Sequence, residues 1–301
     1  MWGKVNVQMS RENLENTHVE FPEDWEILET GGAGSFTTRV AYRKADGSEH
    51  VWTSRRHRRG RGKSGSYRGS PRLGVWDPDS ISWWVAVGFV VGSALCLLGA
   101  SSSIWFPGLT SEGGATRIAN WSYFLGVLVF TVATYLQILE TINTDPHPSR
   151  ASSRPDGGFR WFAWQPKRLS YMEAFVAFVG LILFTAETSL VVIGVPDGEE
   201  INLLLSVPSV LGALLFVIGG YMQFVETCHR YLCFRFLSIS WWSAALNFLG
   251  CVGFLVGATA SLGVPGLSIP PDPTLVKVAY LQGSAFFLVG SYLMLPEMSS
   301  E

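Results

Sequence analysis

The chain has 301 residues, of which 48% are hydrophobic and only 15% charged. A soluble domain carries roughly 25% charged residues, so a water-soluble globular chain is excluded as the first reading. The net charge of −2 selects neither an acidic nor a basic partner, but residues 1–75 hold 13 of the 22 Lys and Arg.

The N-terminal 54 residues are polar, without the apolar core of a cleavable signal, so the first span is expected to act as the targeting signal. FTTRVAYR (36–43) and EHVWTS (49–54) alternate in part and are β-branched, and the Asp46-Gly47 pair between them signals a turn. A small β-hairpin is expected in this region. Gly31-Gly32-Ala33-Gly34 lacks the strand, helix and Lys of a phosphate loop and reads as a flexible connection. Residues 55–75 form a basic juxtamembrane linker, in which Arg55, Arg56, Arg58, Arg59, Arg61 and Lys63 are expected to meet anionic lipid headgroups. Nucleic acid is not an expected partner, because no accompanying nucleic-acid-binding fold is visible.

Six apolar runs follow, at 82–101, 121–142, 171–193, 203–226, 241–262 and 278–296. Each has about the 20 residues that a bilayer-spanning helix needs, and lipid leaves helices as the way to pair their backbone groups. The fold class is therefore an all-α membrane protein of six transmembrane helices, with a small N-terminal region beside them. Lys and Arg crowd the segment before span one, the loop between spans two and three, and that between spans four and five. The alternate loops carry only Arg117 and Lys277. Both termini are thus expected in the cytoplasm of a cell (plasma or inner) membrane. Trp83, Trp84, Trp105, Trp121, Tyr171, Trp241 and Trp242 stand at span ends as interfacial anchors.

The runs pair into three tandem hairpins, at 76–142, 164–228 and 234–298, which gives the pseudo-threefold repetition. Each odd span opens on a similar lead-in: WDPDSISWW (76–84), WQPKRLSYM (164–172) and FRFLSISWW (234–242), with Ser82, Ser170 and Ser240 in register. Each even span repeats Gly, Phe, Tyr and Glu at fixed offsets: Gly126, Phe130, Tyr135, Glu140; Gly212, Phe216, Tyr221, Glu226; Gly283, Phe287, Tyr292, Glu297. Within span two, Gly126, Phe130, Ala133, Gln137 and Glu140 share one stripe. Matching stripes run through Val85, Phe89, Gly92, Cys96 and Gly99; through Glu173, Ala177, Gly180, Phe184 and Glu187; and through Ser243, Asn247, Gly250, Phe254 and Gly257. Small residues on such stripes let helices approach closely in lipid, so these are the expected packing faces.

Two-helix units with an aromatic lead-in and a Gly-x3-Phe second helix resemble the YrhK-like domain family, in three copies over about two-thirds of the chain. The resemblance implies a membrane location and a hairpin unit, and carries over neither an activity nor catalytic residues.

Glu140, Glu226 and Glu297 end the even spans. Either they form a carboxylate ring that attracts cations, or each caps its hairpin by bonding the serine or a basic residue of the lead-in. Glu187, Glu173, Asn247, Gln137 and Gln223 form a candidate intramembrane polar path, because ionisable groups in a bilayer are costly. The bland reading is interhelical hydrogen bonding. No histidine lies in a span, and no nucleophile triad, nucleotide motif or metal-ligand spacing appears. The Cys228-His229-x3-Cys233 segment lacks a second ligand cluster, and the four cysteines do not look like a disulfide framework. No catalysis, cofactor or metal is expected. The favoured function is membrane packing, sensing or assembly, with the bilayer as partner and a homo-oligomer left open. The alternative is a channel or transporter for a small cation, proton or solute.

Overall fold

The computed structural model describes residues 21–59, 76–105, 114–144, 158–194, 199–262 and 272–300. Three strands come first: β1 (Glu26–Ala33), β2 (Phe36–Arg43) and β3 (Glu49–Thr53). They pair antiparallel in the order β1-β2-β3. The alternation read in β2 places Thr38, Val40 and Tyr42 on the buried face, as the period of two requires. Val40, Tyr42 and Trp52 form a small core with Phe21, Trp25 and Ile27, and Trp25 stacks on Tyr42 at 4.5 Å. The β2–β3 turn falls at Asp46-Gly47, where Gly47 takes φ +82° and Asp46 accepts the Ser48 N–H at 2.8 Å.

The glycine run corrects its expected reading. Gly31, Gly32 and Ala33 lie in β1, and Gly34 makes the turn into β2 with φ +58°. A Cβ on Gly32 would collide with the Phe36 carbonyl oxygen. Glycine therefore lets this strand bulge and fold back tightly, rather than leaving it loose.

Six long helices follow: α2 (Ile81–Trp105), α3 (Gly114–Ile142), α4 (Leu169–Ile193), α5 (Glu199–Cys228), α6 (Ile239–Leu262) and α7 (Pro273–Ser300), numbered after the short α1 (Ser54–Arg58). All six are long and apolar enough to cross a membrane. Their outer faces expose apolar side chains such as Leu98, Val132, Leu211, Leu249 and Val289, an arrangement suited to lipid and costly in water. The helices form a ring in chain order, closed by α7 against α2, and contact is most extensive within the hairpins α2–α3, α4–α5 and α6–α7.

The glycine stripes make the closest approaches. A Cβ on Gly126 would lie 3.0 Å from the Gly92 carbonyl. Gly180 and Gly212 face each other's carbonyls at 2.7 and 2.8 Å, and Gly250 and Gly283 do so at 3.0 Å. The three lead-ins also fold alike. Ser80 N–H donates to Asp77 O, Arg168 N–H to Gln165 O, and Ser238 N–H to Arg235 O, at 3.0, 3.1 and 2.9 Å. Tyr135 and Tyr221 donate from their hydroxyls to Trp161 O and Tyr231 O, each three residues before the next lead-in, at 3.0 and 3.1 Å. Tyr292, at the matching position of α7, is exposed.

Two side-chain expectations are corrected. Trp83, Tyr171 and Trp241 are buried against protein rather than exposed as anchors; Trp83 packs edge-on to Trp76, and Trp241 donates to Cys233 O at 2.8 Å. Cys228 and Cys233 form a disulfide, so their sulfurs are spent on each other and do not serve as free thiolate ligands. The bond closes the short loop from α5 toward α6. Replacing Cys228 by Ser should cost about 2 kcal/mol, the chain-entropy value for so short a loop. Thermal unfolding with and without reductant checks this; a reductant-insensitive wild type would contradict it.

Candidate functional site

β3 passes directly into α1, without an intervening linker. A five-residue helix does not hold itself together, and Thr53 provides no side-chain cap. What fixes α1 is where its arginines go. Arg55 and Arg58 lie three apart on one face and are buried, whereas Arg56 points outward and is exposed.

The carboxylates at the ends of α3, α5 and α7 meet that face. Arg55 donates from Nε to Glu297 Oε1 at 2.7 Å and from Nη2 to Oε2 at 2.9 Å. Arg59 Nη1 lies 3.0 Å from the same Oε1. Arg58 donates from Nη1 and Nη2 to the two oxygens of Glu226, both at 3.3 Å. Its Nε lies 3.5 Å from Glu140, and its Nη2 3.8 Å from Glu173. Ser54 donates to Glu226 at 2.7 Å, and Ser82 donates to Glu140. Four carboxylates from four helices thus converge on three guanidinium groups.

The chemistry suits arginine. A planar fork satisfies a carboxylate bidentately and tolerates burial better than an ammonium. Burial pulls the Arg55 and Arg58 pKa values down, but Glu297 beside Arg55, and Glu226, Glu140 and Glu173 around Arg58, outweigh it, and both move up. Arg59 moves down, through burial and then repulsion from Arg55.

This corrects the expectation for the basic run. Arg55, Arg58 and Arg59 face protein carboxylates instead of lipid headgroups, because the desolvated glutamates offer them a stronger partner than a hydrated surface does. Residues 55–59 are accordingly no linker. Arg61 and Lys63, with the remainder of that segment, lie outside the described residues. The signal was present as arginines at i, i+3 and i+4, the spacing of one helical face, but with so few residues it reads as a solvated charge run.

The candidate polar path divides in two. Glu173, Gln137, Gln223 and Asn247 line a small chamber of about 30 Å³ beside the carboxylates, and Gln137 donates to Glu173 at 2.8 Å. Oε2 of Glu173 has no hydrogen bond among the described residues. Glu187 lies in a separate cavity of about 230 Å³ toward the far end of the ring. Between the two stand the matched phenylalanines of the even helices. Phe130, Phe216 and Phe287 contact one another at centroid distances of 5.3, 5.4 and 6.4 Å. Phe89 and Phe254 complete this aromatic layer.

The sheet is also seated on the bundle. Ala33 and Phe36 pack with Leu169, Met222 and Val225, and Thr38 Oγ1 is hydrogen-bonded to His229 Nδ1 at 3.0 Å. Burial, assisted by Arg235, Arg39 and Arg230 and opposed by Glu226, lowers the His229 pKa from 6.5 to about 4. The folded protein therefore binds fewer protons here than the unfolded chain does. Stability from this group is complete above pH 6.5 and falls as the pH drops toward 4. Seating of the sheet, followed by protease sensitivity of the N-terminal region, should weaken over that window. His229→Asn should flatten the response; an unchanged profile would count against it.

Comparison of the chain with protein-family models, with curated proteins and with solved structures gives no match.

Proposed function

We propose that the chain is a multi-pass membrane component of the sensing and assembly class, whose N-terminal region caps its own six-helix ring. The observation that carries this reading is the burial of Arg55, Arg58 and Arg59 on carboxylates from α3, α4, α5 and α7. A buried charge cluster of this kind specifies one docked arrangement, since either half alone would hold uncompensated charge. Its two-part construction joins the N-terminal region to the bundle through a charged contact that withdrawal of α1 would open, the kind of element a membrane sensor uses. The Lys and Arg bias of the short loops supports cytoplasmic termini and a plasma or inner membrane. The aromatic lead-ins and Gly-x3-Phe helices support three YrhK-like hairpin copies. We assign no catalytic role to the carboxylates.

Hydrogen exchange on the full chain in lipid nanodiscs tests the cap. Amides 57–59, which carry the i→i−4 bonds of α1, should be protected in the wild type and exposed by the Arg55→Ala/Arg58→Ala double change, with α2–α7 unaltered. Free exchange of 57–59 in the wild type would sink the reading.

The channel or transporter reading keeps one specific support: two chambers, each lined by one glutamate, on opposite sides of an aromatic layer. On that reading this is a closed form. Cation flux into vesicles should then rise in the Arg55→Ala/Arg58→Ala chain and fall again on adding Glu187→Gln. Absence of flux from both would reject it.

A further inference from the structure

The cavity of about 230 Å³ toward the far end of the ring does not belong to the arginine cap. All six long helices contribute to its wall. Its inner end is the phenylalanine layer, with Phe130 and Phe216 facing it, and its side walls include Tyr123 and Tyr280, whose rings lie 5.8 Å apart. Among the described lining residues Glu187 is the single carboxylate, Asn120 and Thr188 are also in the wall, and none is basic. The Glu187 carboxylate has no hydrogen bond or ion pair among the described residues. It is separated from Glu173 by 14 residues of α4, about 21 Å of helical rise, so the arginines of α1 do not reach it.

An apolar, aromatic-walled cavity with one unmatched carboxylate has a defined complement. A ligand that merely filled it would leave the carboxylate desolvated and unpaired, at a cost. An inorganic cation would leave the rings without contacts and would find few oxygens, whereas hard cations want six or more. An organic cation satisfies both parts: its charge faces the carboxylate, and its alkyl groups lie against aromatic faces, which attract it further. The volume holds about seven water-sized groups at ~30 Å³ each, which limits the ligand to an ammonium centre with a few short alkyl arms.

We propose that this cavity is a binding site for a small alkylammonium ion, with Glu187 as its counter-charge and Tyr123 and Tyr280 as its aromatic walls. The site stands on the geometry of the far end and does not depend on the cap being a sensor.

Titration calorimetry on the full chain in nanodiscs, with tetramethylammonium chloride as ligand, tests it. Saturable binding near 1 mM or tighter is expected. Glu187→Gln should weaken it at least about tenfold, and Tyr280→Leu, which keeps the carboxylate, should weaken it less. The uncharged isostere tert-butanol should not compete. Equal affinity in the wild type and Glu187→Gln overturns the proposal, as does equal competition by tert-butanol. So does no saturable heat up to about 10 mM, where a Kd of 1 mM would be nearly filled.

Discussion

Truncating Glu297 to Ala is expected to destabilise the protein by about 3–5 kcal/mol, the cost of stranding a buried charge. Glu297 is fully buried and accepts from both Arg55 and Arg59. Losing it leaves two guanidinium groups buried without that partner. They cannot shed their charge, because arginine stays protonated in proteins. The accessible relief is withdrawal of α1 from the ring, which also uncovers Glu226, Glu140 and Glu173. The expected signature is therefore a lowered unfolding midpoint together with early proteolysis near residues 54–59. Arg56→Ala, an exposed neighbour on the same helix, should stay within about 0.5 kcal/mol of the wild type. Unfolding in mixed detergent micelles measures both, and equal behaviour of the two variants would contradict the burial of the cluster.

Gly212→Val should also destabilise the protein, by an unrelated route and to a smaller extent. Gly212 sits against α4 so closely that an added Cβ would lie 2.8 Å from the Gly180 carbonyl oxygen and 3.3 Å from the Phe184 ring. Backbone cannot rotate away as a side chain can, so α4 and α5 must part. Overpacking of this kind costs about 1–3 kcal/mol, occasionally more. Phe216, one turn further on, belongs to the aromatic layer, so the separation should loosen that layer as well. Leu211→Val, on the exposed outer face of the same helix, serves as the control and should change stability by less than about 1 kcal/mol. A Gly212→Val protein as stable as this control would show that α4 and α5 are not in close contact.

Much of the bundle was readable because lipid leaves the chain so few options. Six apolar runs had to be helices, and small residues stepping by three and four had to mark their contact faces. The stripes through Gly92, Gly180 and Gly250 meet those through Gly126, Gly212 and Gly283 as that rule demands. The hairpin at Asp46-Gly47 was readable for a similar reason, since only a tight turn uses that pair between alternating segments.

What escaped the sequence depended on partners distant in the chain. β1 was hidden because its glycines lack side-chain pattern, and only the Phe36 carbonyl shows why they are needed. The disulfide was hidden because two cysteines five apart carry no sign of their loop geometry. Glu140, Glu226 and Glu297 were recognised as a repeated set, and the basic run was recognised as charged. Their pairing was not visible, since Arg55 and Glu297 are 242 residues apart. The expected continuity of Glu187 with Glu173 also failed, because the matched phenylalanines fill the space between them.

A double-mutant cycle on Arg55 and Glu297 addresses the capping of the ring most directly. With both residues replaced singly and together by Met, losing Glu297 alone strands Arg55, losing Arg55 alone leaves Glu297 with Arg59 as its partner, and the double change removes the Arg55–Glu297 contact itself. The unfolding free energies should show a coupling of about 2–3 kcal/mol, with the double variant more stable than the sum of the single losses predicts. Additivity to within about 0.5 kcal/mol would mean that the two groups do not meet, and the N-terminal region would then not be held on the bundle by its arginines.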